Sequence, residues 1–572
     1  MRPLKSRRYL LSATAALALA AIAAPVAIAA SASPTQYQGC DGYAEAAEYG
    51  DGMTATGESF WEKLGRQALV KARTPVERAT PAKASNGIAN CDAALDALPE
   101  KHWMRKVSLL RARALHRIEA HDAPGALADL DLADAAASAS TETYYARSLG
   151  VGVDFVRAYA LSLSGDKQKG EALALDALLR RPYNRETAGA ALYALGSNPS
   201  ATGLMTAMQA SARLVPANVD VLFLRAFNTR NYTEAADLYS QISPVHEQGN
   251  LNISGGEAAE RQWRDYEVAQ VFWAARGCQY AYALAAMGKP AEARAAVENA
   301  RAKLANDTQP PPPLEASKSK DRTAVALHKG LTDIHARAAI EGNKAIDLWA
   351  PIVELRILVA DGKADEALKS VSSLPRNSAT AELVDAIYAQ FPETQRPAPP
   401  PIVGLPVVVG PPDDIPAKMA AVLPEAEDAD KVPDFERQDT YWFTNNPNPR
   451  FDGYFVGKPN AEGVTTFSFR GNAATQAMVE ELALLGAAGV ARKSGQKGMI
   501  VVDRRDTTYR NVTTYYGNPI RNQAAGYGSE LDIVFVDPAA LPEKYKTAGW
   551  RIIDPEAVYS ALAPIYLKPS AK

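Results

Sequence analysis

One spacing recurs through the middle of this chain and constrains its fold more than any other feature. A turn residue is followed by a small residue five positions on, and by packing residues at nine and twelve. The pattern reads Gly165–Gly170–Ala174–Ala177, Gly288–Ala293–Val297–Ala300 and Gly362–Ala367–Val371–Leu374, with looser copies at His121–Ala126–Leu130–Ala133 and Arg230–Ala235–Tyr239–Ile242. Steps of four and three place the last three members on one helix face. The small member admits a neighbouring helix, and the turn residue breaks the chain before it. Pro182 and Pro216 lie 34 residues apart, a period of helix–turn–helix units. These features predict a mainly α chain that presents a surface rather than one built around chemistry.

The first residues bear on compartment. Arg2, Lys5, Arg7 and Arg8 precede an apolar run from Leu10 to Ala30 that ends in small residues, Ala27-Ile28-Ala29 and Ala30-Ser31-Ala32. That layout predicts a cleaved export signal over residues 1–30 and a periplasmic mature chain without a membrane span. The stretch Ser6-Arg7-Arg8-Tyr9-Leu10-Leu11 also resembles a twin-arginine signal, so the general and twin-arginine routes both stay open. In an oxidising compartment Cys40 and Cys91 are expected to pair, with Cys278 a buried free thiol among small and apolar neighbours. The net charge of −3, or −7 without those four basic residues, excludes the basic footprint of a nucleic-acid binder.

Composition divides the rest. Residues 34–104 read as a helical lead-in and 105–395 as an Ala-rich helical array. A proline-rich linker over 396–432 carries Pro397, Pro399, Pro400, Pro401, Pro406, Pro411, Pro412 and Pro416, where polyproline geometry forbids a helix. Residues 433–572 read as a small α+β domain. Its expected elements are strands at Val464–Phe469, Met499–Val502, Asn511–Tyr516 and Leu531–Val536, and helices at Ala473–Arg492 and Pro555–Ala563. Gly495 is expected to stop the first helix, Asp554 to cap the second and Pro564 to end it.

The helical section resembles the tetratricopeptide repeat superfamily. The residues that carry the likeness are the small Ala114, Ala158 and Ala281 of first helices, and Ala126, Gly170, Ala235, Ala293 and Ala367 opening second helices. Closing prolines at Pro182, Pro216, Pro244 and Pro375 add to it, over about residues 105–245 and 275–375. The family's first-helix aromatic is mostly missing, and Ser138–Arg147 and Ser243–Arg264 interrupt the array. The resemblance implies a solenoid, here an irregular one, whose concave face holds a protein or peptide partner. Tyr159, Tyr193 and Phe227 follow one another at 34 residues, and Tyr282 follows Ala281 as Tyr159 follows Ala158. These four rings are the candidate partner-binding row, with core packing as the competing reading.

Chemistry has fewer candidates. None of the six histidines falls in the C-terminal domain, so a Ser-His or Cys-His nucleophile cannot be assembled there alone. His328 and His335 stand seven apart, wider than the usual metal-binding pair. No cofactor or metal motif occurs. The cluster Asp503-Arg504-Arg505-Asp506 follows the expected strand Met499–Val502 and is the one candidate ligand site, against the plainer reading of a solvated, ion-paired turn. Glu530 and Asp532, bracketing Leu531, mark the solvent face of another strand. The reading is an exported tetratricopeptide-like adaptor for a protein or peptide. The alternative is a cell-envelope enzyme with a catalytic C-terminal domain and a substrate-recruiting array.

Overall fold

All five turn residues of the recurring spacing adopt a left-handed backbone: φ is +61° at His121, +95° at Gly165, +66° at Arg230, +73° at Gly288 and +74° at Gly362. In each case the next amide reaches back five residues along the chain. Asp122 bonds the Arg117 carbonyl, Asp166 that of Leu161, Asn231 that of Ala226, Lys289 that of Leu284 and Lys363 that of Leu358, at 2.8–3.0 Å. This is the cap that satisfies the orphan carbonyls of a helix end. It reverses the chain and starts a second helix at once.

The structure, a computed structural model, describes residues 36–43, 54–56, 73–75, 80–98, 100–137, 143–196, 199–242, 257–315, 321–371, 380–396, 415–436, 452–472, 474–515 and 518–567. The expected export signal therefore lies outside the described residues. Helices α1 (Gln36–Asp41) and α2 (Ala84–Ala97) open the chain and are joined by the Cys40–Cys91 disulfide. Two three-residue strands, β1 (Thr54–Thr56) and β2 (Arg73–Pro75), pair between them.

Hairpins follow: α3 (Trp103–Glu119) with α4 (Ala123–Ala137), then, after the short α5 (Thr143–Arg147), α6 (Leu149–Leu163) with α7 (Lys167–Arg180). Next come α8 (Arg185–Ala194) with α9 (Ala201–Leu214) and α10 (Val219–Asn228) with α11 (Tyr232–Tyr239). The last two are α12 (Glu257–Ala286) with α13 (Pro290–Asp307) and α14 (Arg322–Ala360) with α15 (Ala364–Val371). Ala126, Ala235, Ala293 and Ala367 are fully buried where these helices cross. At the matching position a Cβ on Gly170 would lie 2.5 Å from the Ala158 carbonyl oxygen, so only glycine fits.

The interruptions differ from expectation. Helix α12 begins at Glu257, inside the segment taken for a Gly-rich insert. The segment before the turn at Gly362 is one 39-residue helix, α14, continuous through Pro351. Helix α16 (Ala381–Tyr388) closes the helical section.

The linker is only partly a spacer. Residues 397–414 lie outside the described residues, but α17 (Ile415–Val422) and the turn after it belong to the helical core. Met419, Leu423 and Ala426 are buried with residues of α3, α6 and α8, and Arg111 donates to the Pro424 carbonyl at 2.8 Å. A run of apolar side chains after the prolines provides the burial that the polyproline reading left out.

The C-terminal unit is a four-stranded antiparallel sheet in the order β3-β4-β6-β5, from β3 (Gly453–Val456), β4 (Val464–Gly471), β5 (Gly498–Tyr515) and β6 (Asn518–Val536). The helices α18 (Gln476–Lys493) and α19 (Pro555–Tyr566) share its core with Phe467, Phe469, Met499 and Ile533. Gly495 (φ +70°) follows α18, and Asp554 caps α19 through the Glu556 amide, as expected. Pro564 does not end α19, which runs on to Tyr566. Strand β3 escaped the sequence reading, and the short strand Met499–Val502 and the described part of Asn511–Tyr516, up to Tyr515, prove to belong to one long ribbon strand, β5. No helix among the described residues is long and apolar enough to cross a membrane.

Candidate functional site

The aromatic row does not line an open groove. Tyr159 is 6 % exposed, Phe227 5 % and Tyr282 2 %, and Tyr193 is half-buried against the same core as Tyr159. Phe227 lies 5.6 Å from Tyr282 and 6.1 Å from Trp349, edge to face in both cases. The long α14 brings Trp349 over these rings, and burial pushes the Tyr282 phenol well up from its ordinary range. The competing reading of core aromatics is what the geometry shows at these three positions.

The cluster Asp503–Asp506 sits within strand β5, not in a turn. Its residues alternate between two faces, as a strand requires. On one face Arg505 meets Asp503 (3.4 Å), Asp532 (3.3 Å) and Glu530. On the other, Arg504 meets Asp506 and Glu480, each at 2.9 Å, and Asp506 also meets Arg185 (3.2 Å) and accepts from Ser529 (2.8 Å). The carboxylates and guanidiniums are thus engaged with one another, which makes this cluster part of a seam between α8, α18 and the sheet.

That seam continues into a fully buried one. The α7–α8 turn carries Arg181, whose guanidinium donates to Glu481 at 3.0 Å through two nitrogens and to Glu427 at 2.9 Å. Arg147 donates to both Glu481 oxygens at 2.8 Å, and the Tyr566 hydroxyl donates to the same carboxylate. Thr475 caps α18 through the Met478 amide and donates to Glu427 at 2.7 Å. Two cations face two anions with almost no solvent access. Burial alone would raise the Glu481 carboxyl, but Arg181 and Arg147 outweigh it and hold it at about 2. One residue along, Glu480 takes Asn184 (3.0 Å) and Arg185 (2.7 Å). The sequence did carry a signal for this: Glu480-Glu481 is a paired acid inside the helix Gln476–Lys493, whose other neighbours are almost all buried.

Two spaces remain. A cavity of about 340 Å³ is lined by Asp41, Tyr43, Ser108, Arg111, Glu186 and Glu425, with the Tyr43 hydroxyl donating to Glu425 at 2.7 Å. Burial, then the fields of Glu480 and Glu425, push the Glu186 carboxyl well above the usual carboxylate range. A cleft of about 270 Å³ lies among α11, α12 and α13. Its walls include Tyr239 and Tyr280, stacked 4.3 Å apart, together with Trp273, Gln270, Asn299 and Lys303. Next to it α12 meets α13 so closely that a Cβ on Gly277 would fall 2.8 Å from that of Ala300.

Other candidates are structural. Cys278 is buried, and burial pushes its thiol up to about 12, so it is not a nucleophile at neutral pH. His328 and His335 hold the proline-rich loop, bonding the carbonyls of Pro312 (2.9 Å) and Gln309 (2.6 Å). Comparison with protein-family models, with curated proteins and with solved structures found no match to this chain.

Proposed function

We propose that this protein is an exported, periplasmic adaptor whose tetratricopeptide-like helical solenoid binds a protein or peptide partner, with the C-terminal unit as a brace. One observation carries this reading. The large apolar side chains exposed among the described residues (Leu132, Leu163, Leu179, Val221, Val268, Val325, Ile340 and Leu348) all belong to the helical section. Leu179, at 70 %, is the most open. These side chains give the helical section, and not the C-terminal unit, the apolar area that a partner would cover. The repeated hairpin caps support a stacked array, and the disulfide agrees with an oxidising compartment. The C-terminal unit instead spends its charged groups on the seam with α7 and α8.

The test is photo-crosslinking in living cells with a photoreactive amino acid placed at Leu132, Leu179, Val268 or Ile340, and at Glu543 or Lys493 on the C-terminal unit. Discrete adducts from the helical positions are expected. Adducts from the C-terminal positions alone would overturn the reading.

A further inference from the structure

We propose that the cleft among α11, α12 and α13 is a saccharide subsite that takes one neutral sugar ring, a binding activity separate from capture of a protein partner. The cleft's size comes first. At about 270 Å³ it falls just below the range of sites for drug-sized ligands and suits a single ring.

Its walls are of two kinds. Trp273 and the stacked Tyr239–Tyr280 pair supply flat apolar area, with Tyr239 at one end and Tyr280 beside it. The C–H face of a pyranose packs on such rings, which carry a negative face. Around them stand neutral hydrogen-bonding groups: the amides of Gln270 and Asn299, two phenols and an indole N–H.

The polar groups show what is missing. Gln270 is 1 % exposed, and neither its Nε2 nor Trp273 Nε1 has a hydrogen-bond partner. Buried donors left unpaired cost about 1–3 kcal/mol each, and both belong to side chains that line the cleft. The charge balance then selects the ligand class. Lys303 is the only ionic group on the walls, and Asp307 already pairs with it at 2.5 Å while its ammonium sits over Trp273. No carboxylate lines the cleft. A net charge on the ligand would go unanswered. A neutral amino-acid side chain offers one polar end, whereas a sugar ring carries hydroxyls, each both donor and acceptor, around an apolar face.

The experiment is saturation-transfer NMR on the full mature chain with methyl β-glucopyranoside, methyl N-acetyl-β-glucosaminide, benzoate as an anion, and N-acetyl-glutamine amide as a peptide-like probe. Two variants accompany it: Gln270→Met, which keeps volume and removes the buried amide, and the exposed Asn299→Ala, which leaves the core untouched. Circular dichroism checks that both fold. Saturable binding of a glycoside, weakened about tenfold or more by each variant, is the expected result. Glycoside binding unchanged in both variants would place the site elsewhere. Saturation by benzoate or the amide alone would overturn the ligand class, and saturation by none of the four would overturn the site. The crosslinking test above reads a different surface, so either proposal can fail without the other.

Discussion

Replacing Glu481 by glutamine tests the seam most directly. Glutamine keeps the shape of the side chain but removes one of the two anions that face Arg147 and Arg181, leaving Glu427 against two buried guanidiniums. Breaking a buried ion pair from one side costs about 3–5 kcal/mol. The carboxyl itself gives a second route to the magnitude: its descent from 4.5 to about 2 corresponds to roughly 3 kcal/mol of stability at neutral pH. Because the folded value is the lower one, this contribution is present above the ordinary carboxylate range and is lost as pH falls toward 2. Urea unfolding of the parent and Glu481→Gln, followed by far-UV dichroism and tryptophan fluorescence at pH 7 and at pH 3, reads both effects. The variant should lose about 3 kcal/mol at pH 7 and much less at pH 3. A loss below about 0.5 kcal/mol at pH 7, or the same loss at both values, would show that the cluster does not hold the two units together.

Glu186 should behave in the opposite sense: its folded carboxyl lies above the unfolded one, so the stability it contributes is present at acid pH and lost as pH rises. Glu186→Gln should therefore raise the melting temperature at pH 8 more than at pH 5, and an equal shift at both would contradict the assignment. Gly170→Ala should cost about 1–3 kcal/mol, because its Cβ meets backbone rather than a movable side chain; a neutral result in thermal melts would show that α6 and α7 can separate. Inserting a specific protease site between residues 397 and 414 should yield two fragments that co-elute in size-exclusion chromatography. Their separation at neutral pH would mean that α17 and the seam contribute little.

The five hairpin caps were legible because the conformation needed is local: a left-handed residue followed by a small one at a fixed offset. His121 and Arg230 could be placed with the glycines only through that offset, since a positive φ is uncommon for any residue other than glycine. The Cys40–Cys91 pairing and the buried Cys278 were legible from compartment and neighbours. What stayed hidden was non-local. The aromatic spacing of Tyr159, Tyr193 and Phe227 is real, but which face it occupies depends on where α14 lies, and the continuity of α14 through Pro351 overrides the local signal of a break. Strand β5 could not be read as one element because Asp503–Thr508 presents charged and hydroxyl side chains on both faces and so lacks the apolar alternation of a half-buried strand. Its charges make sense only against Glu480, Arg185 and Glu530, which come from three other elements.

The seam also fixes how the C-terminal unit is held. A module hung on a flexible spacer would sample many orientations, and its own surface would have to do any binding. Here α17 is built into the helical core, Arg181 and Arg185 read Glu481 and Glu480 at one end, and Arg551 reaches the Gln241 and Val501 carbonyls at the other. Tyr144 adds a bond to the Ile565 carbonyl at 2.8 Å, and Arg213 one to Trp550 at 3.0 Å. These contacts span from α5 to the end of α11, so the sheet braces the hairpins between them. A stack of helix pairs held only by neighbours bends easily, because each pair contacts just the next. If the helical section binds a partner as proposed, a brace that ties successive hairpins to one sheet removes that freedom beforehand, and so lowers the ordering cost of binding.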